Sequence, residues 1–352
     1  MKVIFKNVVK RANTKEDRFN TEKIYYVGGE HIHSNELLIN ERGIIKGSTI
    51  GPMFYFGFKA GQVLFVTRNP HLRKAAMVEF DGICSEKTLV LETMNPSVLS
   101  QDYLPIIMQS DNFWHYCEEH KSGGVNYFIN WSTLADYEFE LPSLEEQHSH
   151  SQKIWAAYRL RESYKKLFAA TDEMVKSQFI EMFGNSIHTK KLIEVCNIEK
   201  GTTITKEQTF DGKVPVVAGG LEPSCYHNVA NRPSGMITVS ASGANAGYVN
   251  YWEVPIFASD CNTIYPIKPE EVNQIFMYWQ LKVMQKQIFK LQKGGAQPHV
   301  YGKDLAGMQI VQPPMESQLQ YVAIANQAEK SKSELKQCIE NIDKVIKSLI
   351  NN

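Results

Sequence analysis

Two blocks of this 352-residue chain repeat each other at a fixed distance, and that repeat limits the possible folds more than any other feature. Gly123-Gly124-Val125-Asn126, Leu134, Pro142, Glu145 and Gln147 are answered by Gly294-Gly295-Ala296-Gln297, Leu305, Pro313, Glu316 and Gln318. Every pair is 171 positions apart, with no gap inside the block. Upstream the echo continues at 174 positions: Gly61–Thr67 (GQVLFVT) lies against Gly235–Ala241 (GMITVSA), and Ser85-Glu86 against Ser259-Asp260. A chain built this way is a tandem duplication of one supersecondary unit.

Each repeat ends in a long stretch of helical periodicity. Leu144–Gly184 contains no proline, and its apolar residues Ile154, Ala157, Tyr158, Leu160, Tyr164, Leu167, Phe168, Thr171, Met174, Val175, Phe179 and Met182 recur at helical spacing. It predicts one helix of about 38 residues, about 57 Å at 1.5 Å per residue, closed by Gly184-Asn185. Ser143 is the expected N-cap, with Glu145 and Glu146 at the positive helix end. Glu316–Leu349 also lacks Pro and Gly. Leu335, Ile339, Ile342, Ile346 and Leu349 give it a coiled-coil seam that weakens backwards through Lys332, Ala328, Ala325 and Tyr321. Each helix could pack on its own domain, or the two could pair.

Apolar content of 43% marks a folded chain with room for two domains. No apolar run reaches the roughly 20 residues needed to span a membrane. Lys6, Lys10 and Arg11 break any signal-peptide core. Six cysteines without paired spacing read as reduced thiols of a cytoplasmic protein. Net charge is zero, which disfavours a non-specific nucleic-acid binder but leaves room for local basic faces.

In order, the first repeat predicts strands at Lys2–Val9, Lys23–Val27, Glu36–Ile45, Val63–Thr67, Lys74–Phe80 and Thr88–Leu91, then a helix over Pro96–Lys121. The second predicts helix or strand at Lys190–Ile198 and strands at Val214–Val217, Met236–Ser240, Tyr248–Trp252, Asn262–Ile267 and Gly307–Val311, with a helix over Glu270–Gln292. Strands mixed with one main helix per repeat give a mixed α/β or α+β class. The domains expected are 1–143 and 186–314, with helical segments at 144–185 and 315–352.

Catalytic motifs do not emerge. No glycine loop ends in Gly-Lys-Ser/Thr, and Ser240–Gly247 (SASGANAG) reads as a tight turn rather than a phosphate cradle. Asn69-Pro70-His71 and Gln312-Pro313-Pro314-Met315 do not match a base methyltransferase motif. His31-x-His33 and His148-x-His150 lack a third metal ligand at the usual spacing, and Asp81 and Glu86-x-Thr88 lack a nuclease lysine. No nucleophile elbow is present. A non-catalytic chain is expected, with no metal and no cofactor.

One feature points to nucleic acid. Lys282, Lys286, Lys290 and Lys293 recur at spacings of four, four and three on the predicted helix, a stripe suited to phosphates or, equally, a solvated face. The following loop offers Gln297 and His299 toward base edges, and the glycine-rich loop adds Ser242 and Asn245. The first repeat has Asp111, His115 and Glu119 where the second has its first three lysines. Its basic residues lie elsewhere, at Lys6, Lys10, Arg11, Lys15 and Arg18, and its candidate contacts are Arg68, Arg73 and Lys74.

The layout resembles the specificity subunit of type I restriction-modification enzymes. The likeness rests on the duplicated domain-plus-helix plan, on Gly-Gly-Ala-Gln-Pro-His (294–299) leading through Leu305 to Pro313-Pro314 and Glu316-x-Gln318, and on the Gly-Met-Ile-Thr-Val-Ser then Gly-Tyr-Val pattern near 235–249. The first repeat departs from it at Gly124-Val125-Asn126-Tyr127. The resemblance implies two target recognition domains, each reading half of a bipartite site in double-stranded DNA. It also implies two long helices pairing antiparallel as a spacer, two methyltransferase (M) subunits docked on the chain, and restriction (R) subunits joining them. The alternatives are a specificity subunit of a type IIB-like restriction system and a non-DNA coiled-coil interaction protein.

Overall fold

A computed structural model describes residues 1–12, 14–186 and 189–351. The chain divides into two compact units, Met1–Lys165 with Gln337–Asn352, and Lys166–Lys336.

The first unit is built on a four-stranded antiparallel sheet in the order Val9–Arg11, Thr88–Thr93, Val63–Val66, Ala75–Met77. Both faces of this sheet are covered, which is why its strands are nearly continuous apolar runs. Val63, Phe65, Leu89 and Leu91 point to a core shared with Phe113 and Trp114, with Ile154 and Tyr158 of the central helix and with Ile346 of the C-terminal helix. Leu64, Ala76 and Val90, one residue out of phase, face a second core with Val27, Ile32 and Phe58. Part of that second core belongs to a five-stranded mixed sheet in the order Thr14–Lys15, Phe54–Phe58, Gly82–Ser85, Tyr25–Val27, Gly43–Ile44.

The second unit repeats the four-stranded sheet as Cys196–Lys200, Cys261–Pro266, Met236–Ser240, Val249–Trp252. Between its last two strands the register is the same: Leu64 pairs with Ala76 and Thr238 with Asn250, each 174 positions on. A three-stranded sheet of Cys225–His227, Val214–Val217 and Phe257–Ala258 stands beside it. A short ladder closes each unit, Lys2–Ile4 with Glu138–Glu140 and Thr189–Lys191 with Gln309–Val311.

The two long helices run over Leu144–Phe183 and Met315–Asn351. Ser143 caps the first in a reciprocal box with Glu146, whose carboxylate is held below its usual pKa by the Ser143 hydroxyl and N–H. In the first unit Arg161 of the central helix bonds Asp343 of the C-terminal helix at 2.9 Å. In the second unit Lys332 bonds Asp172 at 2.8 Å, and Tyr321 packs between Phe179 and Phe183. The helix segments within each unit therefore run antiparallel.

Several expectations need correction. Lys2–Val9 and Glu36–Ile45 are not single strands: the first becomes Lys2–Ile4 and Val9–Arg11 around a helical turn, and only Gly43–Ile44 of the second is strand. Pro96–Lys121 is two helices, Leu104–Gln109 and Asp111–Glu119, because Ser110 is extended and its hydroxyl caps the second at Phe113 N–H. Glu270–Gln292 likewise splits into Gln274–Val283 and Gln285–Phe289 at Met284. The C-terminal seam does not weaken toward its start. Tyr321, Ala325 and Ala328 are its most buried members, because the two alanines let the helices approach closely and Tyr321 fills the space between Phe179 and Phe183. On the central helix Leu160, Leu167 and Met174 are exposed. The buried positions are Gln147, Ser151, Ile154, Trp155, Tyr158, Arg161, Val175, Phe179 and Phe183, a seam whose polar members an apolar count misses.

Candidate nucleic-acid interface

In each unit a hairpin projects just after a short helix, Asp111–Glu119 in the first and Gln285–Phe289 in the second. Ser122 and Phe128 exchange both backbone hydrogen bonds, at 2.8 and 2.9 Å, and Lys293 and His299 do the same at 2.9 and 2.8 Å. Gly123 and Gly294 turn these hairpins with φ of 96° and 97°. A Cβ at either would sit 2.6 Å from the Asn126 carbonyl or 2.9 Å from that of Gln297, so glycine is required twice over.

A second loop stitches to each hairpin by the same bonds. Asn69 N–H donates to the Tyr127 carbonyl and Ile129 N–H to that of Thr67; Gly243 N–H donates to the Pro298 carbonyl and Val300 N–H to that of Ala241. Since the Tyr127 backbone carbonyl does the work of Pro298's, the first repeat's departure at this step leaves the geometry intact. Gln297 is exposed at its hairpin tip, and Val125 reaches 93% exposure at the other.

The candidate contacts separate into those open to a ligand and those already engaged. Lys282 donates to the Val249 carbonyl at 3.1 Å and lies 4.4 Å over the Tyr248 ring. Lys293 bonds Asp304 at 2.8 Å. Lys286 and Lys290 belong to the separate turn after Met284, so the four lysines do not form one helical face. The break is fixed by Gln285, whose amide clamps Gly247 and Val249. Ser242 gives its hydroxyl to Asp260, Asn245 uses its carbonyl to turn the glycine-rich loop at Tyr248, and the His299 ring stacks on Tyr301.

In the first unit Arg73 is tied to Asp111 at 2.6 Å and Lys74 to the Gly29 carbonyl at 2.6 Å. Arg68 lies over the Phe128 ring at 5.4 Å. Lys6 and Lys10 pair with Asp136 and Glu92. Sequence reasoning missed Arg42, which is stacked against Tyr25 and Phe80; nothing in spacing or charge marks it, because the three residues meet only through the sheet.

For other chemistry the structure offers little. His31 accepts from Gly28 N–H through Nδ1, and His33 lies 3.0 Å from Glu41. Among the described residues no group of three His, Cys, Asp or Glu is placed to hold a metal ion. No described helix is long and apolar enough to cross a membrane. Burial pushes the thiols of Cys84, Cys196 and Cys261 up to about 12, far from nucleophilic use.

Comparison with known proteins agrees with this geometry. A family profile described as the type I restriction modification DNA specificity domain matches residues 186–343. Two curated proteins described as type I specificity subunits, from Mycoplasma genitalium and Mycoplasma pneumoniae, are 26% identical to the chain over 151 and 152 residues. The aligned stretch is 42% of this chain in both cases, and 39% and 40% of those relatives. The crystal structure of the type I restriction-modification S subunit from M. genitalium superposes with a TM-score of 0.66 at 16% identity, covering 99% of this chain and 94% of that one. A chain from a structure on complex assembly and conformational transition of the type I system gives 0.60 at 18% identity, covering 99% and 96%. Residues 186–343 thus match the type I restriction modification DNA specificity domain, and along nearly its whole length the chain shares the fold of the M. genitalium S subunit.

Proposed function

We propose that the chain selects the DNA target of a type I restriction-modification complex without catalysing a reaction itself. Residues 1–143 and 186–314 are the two target recognition domains, each reading one half of a bipartite site in double-stranded DNA. Residues 144–185 and 315–352 are spacer helices that set the non-specific gap and receive two methyltransferase subunits, which restriction subunits then join in the cytoplasm. Half-sites on one face of a duplex recur every 34–36 Å, a spacing that long helices can fix.

The observation that carries this reading is the stitched pair of loops present once in each unit with the same backbone bonds. Two identical frames bearing different tips, Val125-Asn126 and Ala296-Gln297, suit two different half-sites. Lys286, Lys290, Gln297 and Arg68 are the contacts left for DNA, since no internal ion pair among the described residues engages them. Lys282, Lys293, Arg73 and Lys74 shape the loops instead. The test is binding of the chain, with its methyltransferase subunits, to a randomised duplex library across a salt series. Selective binding whose logarithm falls with salt is expected; equal affinity for all duplexes would sink the reading.

A further inference from the structure

Arg42 is exposed, yet its guanidinium is held between two rings, 4.1 Å from the Tyr25 centroid and 4.5 Å from that of Phe80. Those rings pack edge to face on each other at 5.6 Å, so the platform is itself fixed. Four other arginines are spent internally: Arg73 on Asp111, Arg161 on Glu36 and Asp343, Arg232 on Glu199, and Arg18 on the Ile50 carbonyl. Among the described residues Arg42 has no ion pair and no side-chain hydrogen bond, so the donors of a pre-oriented planar fork are open.

An open fork of fixed plane fits two acceptors of fixed geometry. In duplex DNA the base edge offering them is guanine, through O6 and N7 in the major groove. A phosphate would also accept, but the surroundings favour a base. Ile24 and Ile44, beside the stacked Tyr25, are each 60% exposed, and apolar side chains suit a groove floor better than a backbone. The neighbouring cation Lys23 is already bonded to Asp81 at 2.7 Å.

We propose that Arg42 reads a guanine in the half-site of the first recognition domain, a step that rests on the DNA-specificity reading above. The full chain, assembled with its methyltransferase subunits, is tested on a randomised duplex library as wild type, Arg42→Lys and Arg42→Gln. Wild type is expected to select guanine at one position, and both variants to lose that preference roughly 5- to 150-fold while keeping all others, the worth of one bidentate pair. Placing 7-deazaguanine there should weaken wild type and leave Arg42→Gln unchanged, which needs no variant to fold differently. Uniform weakening on all sequences with a shallower salt slope would make Arg42 a phosphate contact and overturn the proposal. So would unchanged selection, with or without loss of subunit assembly. If wild type selects no sequence at all, the DNA-specificity reading itself falls, and the proposal with it.

Discussion

The two units keep the same hidden polar groups and differ in what they show to solvent. Gln147 is fully buried; it accepts from Ser100 N–H and donates to the Val98 and Pro142 carbonyls. Gln318, 171 positions on and equally buried, accepts from Asn273 N–H and donates to the Glu271 and Pro313 carbonyls. The ion pairs between the helices correspond as well: Arg161 with Asp343 in one unit, Lys332 with Asp172 in the other, both members shifted by 171. Beside them each unit opens a cleft, of about 590 Å³ in the first and 330 Å³ in the second, with Lys347 and Lys176 at equivalent places. Outside this frame the units diverge. The first carries a five-stranded aromatic-rich sheet, the second a three-stranded one. Duplication preserved what positions the loops and left the surfaces free to change.

The sharpest way to break the correspondence is at the ion pairs. Arg161 has a side chain only 6% exposed and serves Glu36, Glu162 and Asp343, whereas Asp172 beside Lys332 is half exposed. Arg161→Met should cost about 3–5 kcal/mol, the usual result of stranding a buried partner. Lys332→Met should cost about 1 kcal/mol, because solvent screens what remains. Urea denaturation measures both, and equal losses would contradict the burial argument.

The glutamines come next. Gln147→Ala and Gln318→Ala should each cost about 2–3 kcal/mol, since each strands a buried N–H and two carbonyls. Native-state hydrogen exchange, read separately over residues 98–100 and 271–273, would show whether the two losses match. A loss confined to one unit would mean the frames are not equivalent.

The smallest effect depends on pH. Glu92 faces Lys10 in the first four-stranded sheet, where the second places Asn197 opposite Tyr265. The Gln62 amide, then Lys10, holds the Glu92 carboxyl below its ordinary value of 4.5. A depressed carboxyl stabilises the fold above that value, and the contribution disappears as pH falls through the lower, folded one. Acidification from pH 6 to pH 3 should therefore cost the Thr88–Thr93 strand about 0.5 kcal/mol that Glu92→Gln abolishes. Hydrogen exchange at those amides checks it.

By itself the sequence determined the duplication, the two long helices, the N-cap of the central one and most central strands, because each rests on local periodicity, on a capping signature or on residues repeated at one offset. Val214–Val217 and Met236–Ser240 are strands over their expected lengths, and the long helices match to within a few residues. The 171-residue offset also held the signal for the Arg161 and Lys332 pairs, but an apolar pattern gives charged residues no reason to be inside. Tertiary structure alone decided which cations stay open. Lys282 and Lys293 stand on a regular spacing in the chain, yet one finds a carbonyl and the other a carboxylate. Arg42 meets its two rings only because Gly43–Ile44 pairs with Tyr25–Val27, which in turn pairs with Gly82–Ser85 next to Phe80. A charge is readable from the sequence, but its partner is set by contacts between distant segments.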